Sequence, residues 1–227
     1  MSWYFDNLYK IIVQPILFYQ DMPKGSWREG SLSFALVTGW IMAFSLTLVF
    51  FINNYMPTGL SLIEGIKGQK LIIVIPVLAV MALAFFVMTL LIIGGILIGA
   101  LLGLMFCCAA VLNFLLILLG GKGNIFEVLK ASLYASSVLL AGLMNIFLMI
   151  PVKYKLMAFS DWINGERVIF YCASVYLYGL FSILGRKTHK VPKWKAFLAA
   201  TVLLIALVLG NVVLSAKILP KLAAILG

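Results

Sequence analysis

From Leu71 to Leu119 the chain runs about 49 residues without one charged side chain, and Asn113 is the only strongly polar group among them. An apolar run of about 20 residues already spans the hydrocarbon core of a bilayer as a helix. Laid out straight at 1.5 Å per residue, this one would measure about 74 Å against a slab of about 30 Å. The sequence therefore predicts a stretch that folds back, bends onto the interface or breaks. A chain carrying such a stretch folds in a membrane.

The rest of the sequence agrees. Hydrophobic residues make up 64% of the chain and charged residues 11%, with a mean hydropathy of +1.16. Soluble domains have roughly 45–50% apolar and 25% charged residues. Further apolar segments of near-spanning length are Leu32–Ile52, Val128–Ile150, Val168–Gly185 and Ala196–Leu219. The expected fold is all-α, a polytopic transmembrane helical bundle of five or six apolar segments. A single transmembrane domain would cover residues 32–227, with segments at about 32–52, 71–93, 95–119, 128–150, 168–185 and 196–219.

Residues 1–31 read as an interfacial amphipathic segment. Asp6, Asn7, Lys10 and Gln14 interrupt its apolar pattern, which argues against a cleavable signal peptide. Trp3, Tyr4, Tyr9 and Tyr19 suit the head-group level, and Pro15 should break or kink the helix. The links Asp21–Gly30 and Asn53–Lys70 are rich in turn residues, among them Gly65 and Gly68.

Inside the long stretch, Gly95, Gly99 and Gly103 recur every fourth residue, followed by Cys107. That spacing lines small side chains along one helix face and predicts a close helix contact there. It makes 95–119 one helix and 71–93 another, spanning or re-entrant, with the Gly94–Gly95 pair as the break. Cys107, Cys108 and Cys172 fall in apolar segments and read as buried small residues, with no metal-ligand spacing to the single histidine, His189. His189 itself reads as a surface residue of a basic loop.

The net charge is +10, and the 17 Lys and Arg lie in the links and ends. There positive charge serves topology and anionic head groups, so nucleic acid is not an expected partner. The densest run holds Arg186, Lys187, Lys190, Lys193 and Lys195, with Trp194 as an interfacial anchor. If the chain crosses six times, one side collects 8 basic residues and the other 9. If Leu71–Leu119 crosses once, Lys10, Lys24, Arg28, Lys122, Lys130 and the dense run gather on one side, 10 against 7. Charge favours five crossings, with that side in the cytoplasm.

Several local patterns resemble one family. Val13-Gln14-Pro15-Ile16-Leu17-Phe18-Tyr19-Gln20-Asp21-Met22-Pro23-Lys24-Gly25 is similar to the lead-in of bacterial Yip-family membrane proteins (the Ypt/Rab-interacting-protein domain). Leu118-Leu119-Gly120-Gly121-Lys122-Gly123, then Leu129 to Ser136 with Tyr134-Ala135, resembles that family's Gly-Gly turn and Tyr-Ala helix. Tyr178-Gly179-Leu180 and His189-Lys190-Val191 resemble its link into the final helix. Ser136, Ser137 and Val138 stand where the family often has proline, so no proline kink carries over. The resemblance implies a five-crossing domain with a cytoplasmic N-terminus, in the inner (plasma) membrane for the bacterial type. It implies no settled biochemical activity.

No nucleophile, base or metal set assembles from one histidine and seven scattered carboxylates, so no catalytic residue, cofactor or metal is expected. Glu127 suits the first turn of a helix whose Tyr134, Ser137, Ala141 and Asn145 share a face. Asn113, Asn145 and Asn211 are the polar groups deepest in the spans. With Tyr134, they either bond between helices or line a path. Two functions fit these residues. One is a non-enzymatic membrane protein that organises lipid, chiefly anionic head groups, or assembles with a partner membrane complex. The other is a small transporter, channel or lipid-translocating protein.

Overall fold

A computed structural model describes residues 2–23, 25–64, 66 and 70–226; Lys24, Gly65 and Gly68 of the two turn-rich links lie outside the described residues. Every regular element among them is helical. Helix α1 is Ser2–Val13, α2 is Pro15–Gln20, and α3 is the rod Gly30–Glu64, interrupted by a π-helical turn at Phe51–Tyr55. Helix α4 is Lys70–Leu118, α5 is Ile125–Lys153, α6 is Phe159–His189 and α7 is Lys193–Leu226. The last five are long and apolar enough to cross a membrane. The protein is an all-α, multi-pass integral membrane protein.

The long stretch does not break. Helix α4 runs 49 residues straight through Gly94–Gly95, so segments 71–93 and 95–119 are one element. The reason lies opposite, on α3. The ring of Trp40 comes within 2.8 Å of where a Gly94 side chain would begin, so this glycine admits a neighbour and makes no turn. A turn there would also open backbone groups in an apolar setting that offers them no partner. Helices α3 and α4 form an antiparallel hairpin, with Gly39 against Ile98, Phe44 and Phe51 against Phe86, and Tyr55 against Phe85.

The expected glycine contact fails as well. A Cβ at Gly95, Gly99 or Gly103 would meet nothing within 4 Å. The face of α4 that enters the bundle carries Leu101, Met105, Cys108, Ala109, Leu112 and Leu116. At 100° per residue, Gly103 lies about 200° from Leu101 and points away from that face. Close approaches occur elsewhere, where Gly39 faces Ile98 and Gly185 faces the Leu116 methyls. Of the cysteines, Cys108 is buried, but Cys107 and Cys172 are exposed.

The first two helices are no separate unit. Tyr4, Ile11, Phe18 and Tyr19 lie in the same core as Phe34 of α3, Leu112 of α4 and Leu184 of α6. Tyr4 and Tyr19, expected at head-group level, are buried. Tyr4 stacks on Phe34 and donates to Thr38 Oγ1 at 2.9 Å, because the Thr38 hydroxyl already donates to Phe34 O. Burial pushes the Tyr4 hydroxyl above its ordinary pKa and keeps it a donor. The break at Pro15 is present: α1 ends at Val13 and α2 starts at Pro15. Proline lacks the N–H that would satisfy the Ile11 carbonyl. The Tyr176 hydroxyl of α6 supplies it, at 2.5 Å from Ile11 O and 3.1 Å from Ile12 O. Lys187, further along α6, holds the other end of the pair through Gln20 O at 2.7 Å. The two anchors stand about 16 Å apart along α6, so the α1–α2 pair dips alongside the bundle and returns.

Helix α5 changes character without proline. It is α-helical to Ala135, then 3₁₀ over Ser136–Gly142. The Ser136 and Ser137 hydroxyls donate to Leu133 O and Tyr134 O where the tighter helix begins, an alternative partner for those carbonyls. The tighter winding rotates the remainder of the helix, so Tyr134, Ser137 and Asn145 are buried while Ala141 is exposed.

Candidate functional site

Polar contacts between helices gather at the end of the bundle that holds the α4–α5 and α6–α7 links. Helix α4 stops in a glycine turn: Gly120 has φ +87°, its N–H reaches Ile117 O at 2.9 Å, and Gly121 N–H reaches Leu116 O at 2.8 Å. This paired bonding closes a helix whose next residue is left-handed. Lys195 Nζ then takes the Leu119 carbonyl at 2.6 Å, placing a cation at the negative end of the helix dipole. Asn124 starts α5 by accepting from Phe126 N at 3.0 Å, with Glu127 in the first turn.

His189 is the keystone of this end. Expected at the surface, it is 2% exposed. Its Nδ1 receives the Gly123 N–H at 3.0 Å, and its Nε2 lies 3.1 Å from Asn113 Oδ1. A backbone N–H can only donate, so Nδ1 carries the lone pair and Nε2 the hydrogen, which Asn113 accepts. The structure thus uses the neutral ring. Gly121 and Gly123 make room for it. A Cβ at Gly121 would lie 2.8 Å from the imidazole, and one at Gly123 would run into the Thr188 carbonyl. Lys122 N also bonds to His189 O, so the two links expected to share a side touch directly.

The basic residues divide by task. Lys130 is buried and donates to Gly25 O at 2.9 Å, tying the Asp21–Gly30 link to α5. Lys187 and Lys195 hold backbone carbonyls of Gln20 and Leu119. Arg186, Lys190 and Lys193 are exposed and engage no carboxylate among the described residues. Trp194 is exposed too, with the Lys195 ammonium 5.5 Å from its ring centre.

These cations border a cleft of about 1210 Å³ between α2, α6 and the start of α7. Arg186, Lys187, Lys190 and Lys193 line its rim with one acid, Asp21. Ile16, Ile183, Val191 and Phe197 supply its apolar lining. Tyr19 also lines it, but its hydroxyl donates to Ala131 O at 3.2 Å, and burial pushes its pKa well up. A second cavity of about 520 Å³ adjoins the first through shared Gly179 and Ile183 and is walled by Pro15, Tyr171, Cys172, Val175, Tyr176 and Leu180.

The four residues weighed as a path are not brought together. Asn113 bonds to His189, and the Tyr134 hydroxyl lies beside Gly30 with its ring among Phe18 and Phe34. Asn145 receives the Trp162 indole N–H on its backbone carbonyl at 3.0 Å. Asn211 meets Ser215 on its own helix. None of the four lines either cavity. Reasoning from sequence misses His189, Tyr176 and Lys130 as internal ties. The flanking Gly121 and Gly123 are the available sign that something bulky sits against that turn. Among the described residues, no group of three or more His, Cys, Asp or Glu is placed to hold a metal.

A search of curated proteins and one of solved structures each returned no match. The family model of the Yip1 domain matches residues 9–214, from the last turn of α1 through α2 to α6 and into α7 as far as residue 214, a span that includes every residue lining the basic cleft. By that match the chain belongs to the Yip1 domain family.

Proposed function

We propose that this protein acts without catalysis, gathering anionic lipid at its basic end, in a bacterial inner membrane with that end facing the cytoplasm. One observation carries the reading. Arg186, Lys190 and Lys193 stand exposed at the rim of a large cleft while neighbouring Lys187 and Lys195 serve the backbone. Each cation near an anionic surface contributes about 1 kcal/mol, reduced by salt. Positive-inside topology supports the orientation, with ten basic residues assigned to this side in the five-crossing count. The transport reading draws no comparable support, because Asn113, Tyr134, Asn145 and Asn211 occupy separate contacts.

The test uses full-length protein purified from its native membrane, with co-purifying lipids and proteins identified. Enrichment of anionic lipid that falls with salt, and falls again in the Arg186→Gln/Lys190→Gln/Lys193→Gln variant, is the expected result. Lipid matching the bulk membrane in both proteins would overturn it, and a stoichiometric protein partner held by the same three residues would replace it with assembly.

A further inference from the structure

We infer that the two adjoining cavities form one site for a single anionic diacyl phospholipid, its phosphate at Arg186, Lys190 and Lys193 and one acyl chain in the slot beneath. This rests on the proposed gathering of anionic lipid and deepens it from a charged surface to a discrete site. The chemistry changes along α6 in the order a lipid requires. Four cations and the Asp21 carboxylate surround the upper cleft, a positive excess suited to a phosphodiester. Arg186 offers planar paired donors, and Lys190 and Lys193 offer point charges. Asp21 disfavours a doubly charged anion placed close to it, which suits a monoanionic head group better than a free phosphate dianion.

The lower slot has apolar walls: Pro15 on one side and Val175, Leu180 and Ile183 on α6. Tyr176 is among its lining residues, but its hydroxyl is already engaged by the Ile11 and Ile12 carbonyls. A free anion would leave this slot unfilled. From Lys187 down to Cys172 is about 22 Å along the helix, room for a phosphate and for a chain filling one leaflet of about 15 Å. Gly179 joins the two compartments, and a Cβ there would meet nothing within 4 Å. A side chain added there would start in open space between the two compartments. The occupant is thus recognised by charge above and by shape below.

The experiment follows retention of phosphatidylglycerol, against phosphatidylcholine, by native mass spectrometry of the intact protein released from vesicles of equal parts of the two. One phosphatidylglycerol per chain is expected. Gly179→Trp should cut retention about tenfold while leaving the charge, the melting temperature and salt-dependent vesicle association as in the parent. Val175→Trp, which narrows the slot from lower down, should do the same, so the inference survives a misfolded first variant. Glycerol 3-phosphate, the head group without chains, should not compete. Undiminished retention in a folded slot variant, or full competition by glycerol 3-phosphate, would overturn the inference. If slot variants keep the lipid and the Arg186→Gln/Lys190→Gln/Lys193→Gln variant loses it, the slot falls and the charged surface stands. If the charge variant keeps its lipid preference, the proposed function falls with it.

Discussion

The two halves of α4 carry the same kind of sequence and lead different lives. Leu101, Met105, Cys108, Ala109, Leu112 and Leu116 are buried in the centre of the bundle. Ile72, Ile73, Val80 and Leu83 are 64–75% exposed, and the neighbour of this half is α3, through the rings of Phe44, Phe51 and Tyr55. Beyond Lys70 at its start neither half has a charge, so neither announces a face. In water, apolarity drives a side chain inward, but lipid is as apolar as leucine and gives no such push. Burial in α4 is decided by which helices arrive beside it, and only the half next to α5, α6 and α7 has them.

The sharpest test sets one leucine against another. Leu112→Ala, at 0% exposure, should cost about 2–5 kcal/mol in unfolding measured in detergent. Leu83→Ala should stay within about 0.5 kcal/mol. Equal losses would erase the distinction between the halves. Next in size is Gly123→Ala, which drives a methyl into the Thr188 carbonyl and the His189 ring and should cost about 1–3 kcal/mol. Asn113→Ala comes third, at about 1 kcal/mol, because it leaves the His189 Nε2–H without an acceptor. Asn113→Asp should restore that acceptor, and recovery by this variant would separate the hydrogen bond from side-chain volume. Gly99→Leu is the smallest. It should lie between no change and a gain of about 0.5–1 kcal/mol, since leucine is the better helix former and meets no neighbour. A large loss at Gly99 would show that this face is covered by another molecule in the sample.

The same contrast marks what can be read from the residues alone. Hydropathy gives the helical crossings, charge favours five of them, and Pro15 breaks the first helix where it stands. These are properties of a segment by itself. The stripe of Gly95, Gly99 and Gly103 misleads because spacing shows that a face is smooth and leaves open what touches it. The Gly94–Gly95 pair looks like a turn because Trp40, the reason for Gly94, is 54 positions away in the chain. His189 passes for a loop residue because its acceptor, Asn113, lies on another helix. Of the candidate site, the basic residues are legible as a group. Their division into backbone caps and free cations is not, because it depends on where Leu119 and Gln20 end their helices.

The bond between the Tyr176 hydroxyl and the Ile11 carbonyl joins residues 165 positions apart. At about 5–20 residues per second of synthesis, the carbonyl exists on the order of ten to thirty seconds before its donor is made. The Lys187 tie to Gln20 arrives later still, across 167 positions. During that interval residues 2–20 have neither anchor, and the Pro15 break has only solvent or lipid head groups to meet its open carbonyl. The ties of this segment to α6 are therefore among the last to form, long after Tyr4 has Phe34 and Thr38 of α3 within reach. A membrane insertase or chaperone acting on this protein would encounter the Pro15 break without its α6 partner while three of the spanning helices were already in place.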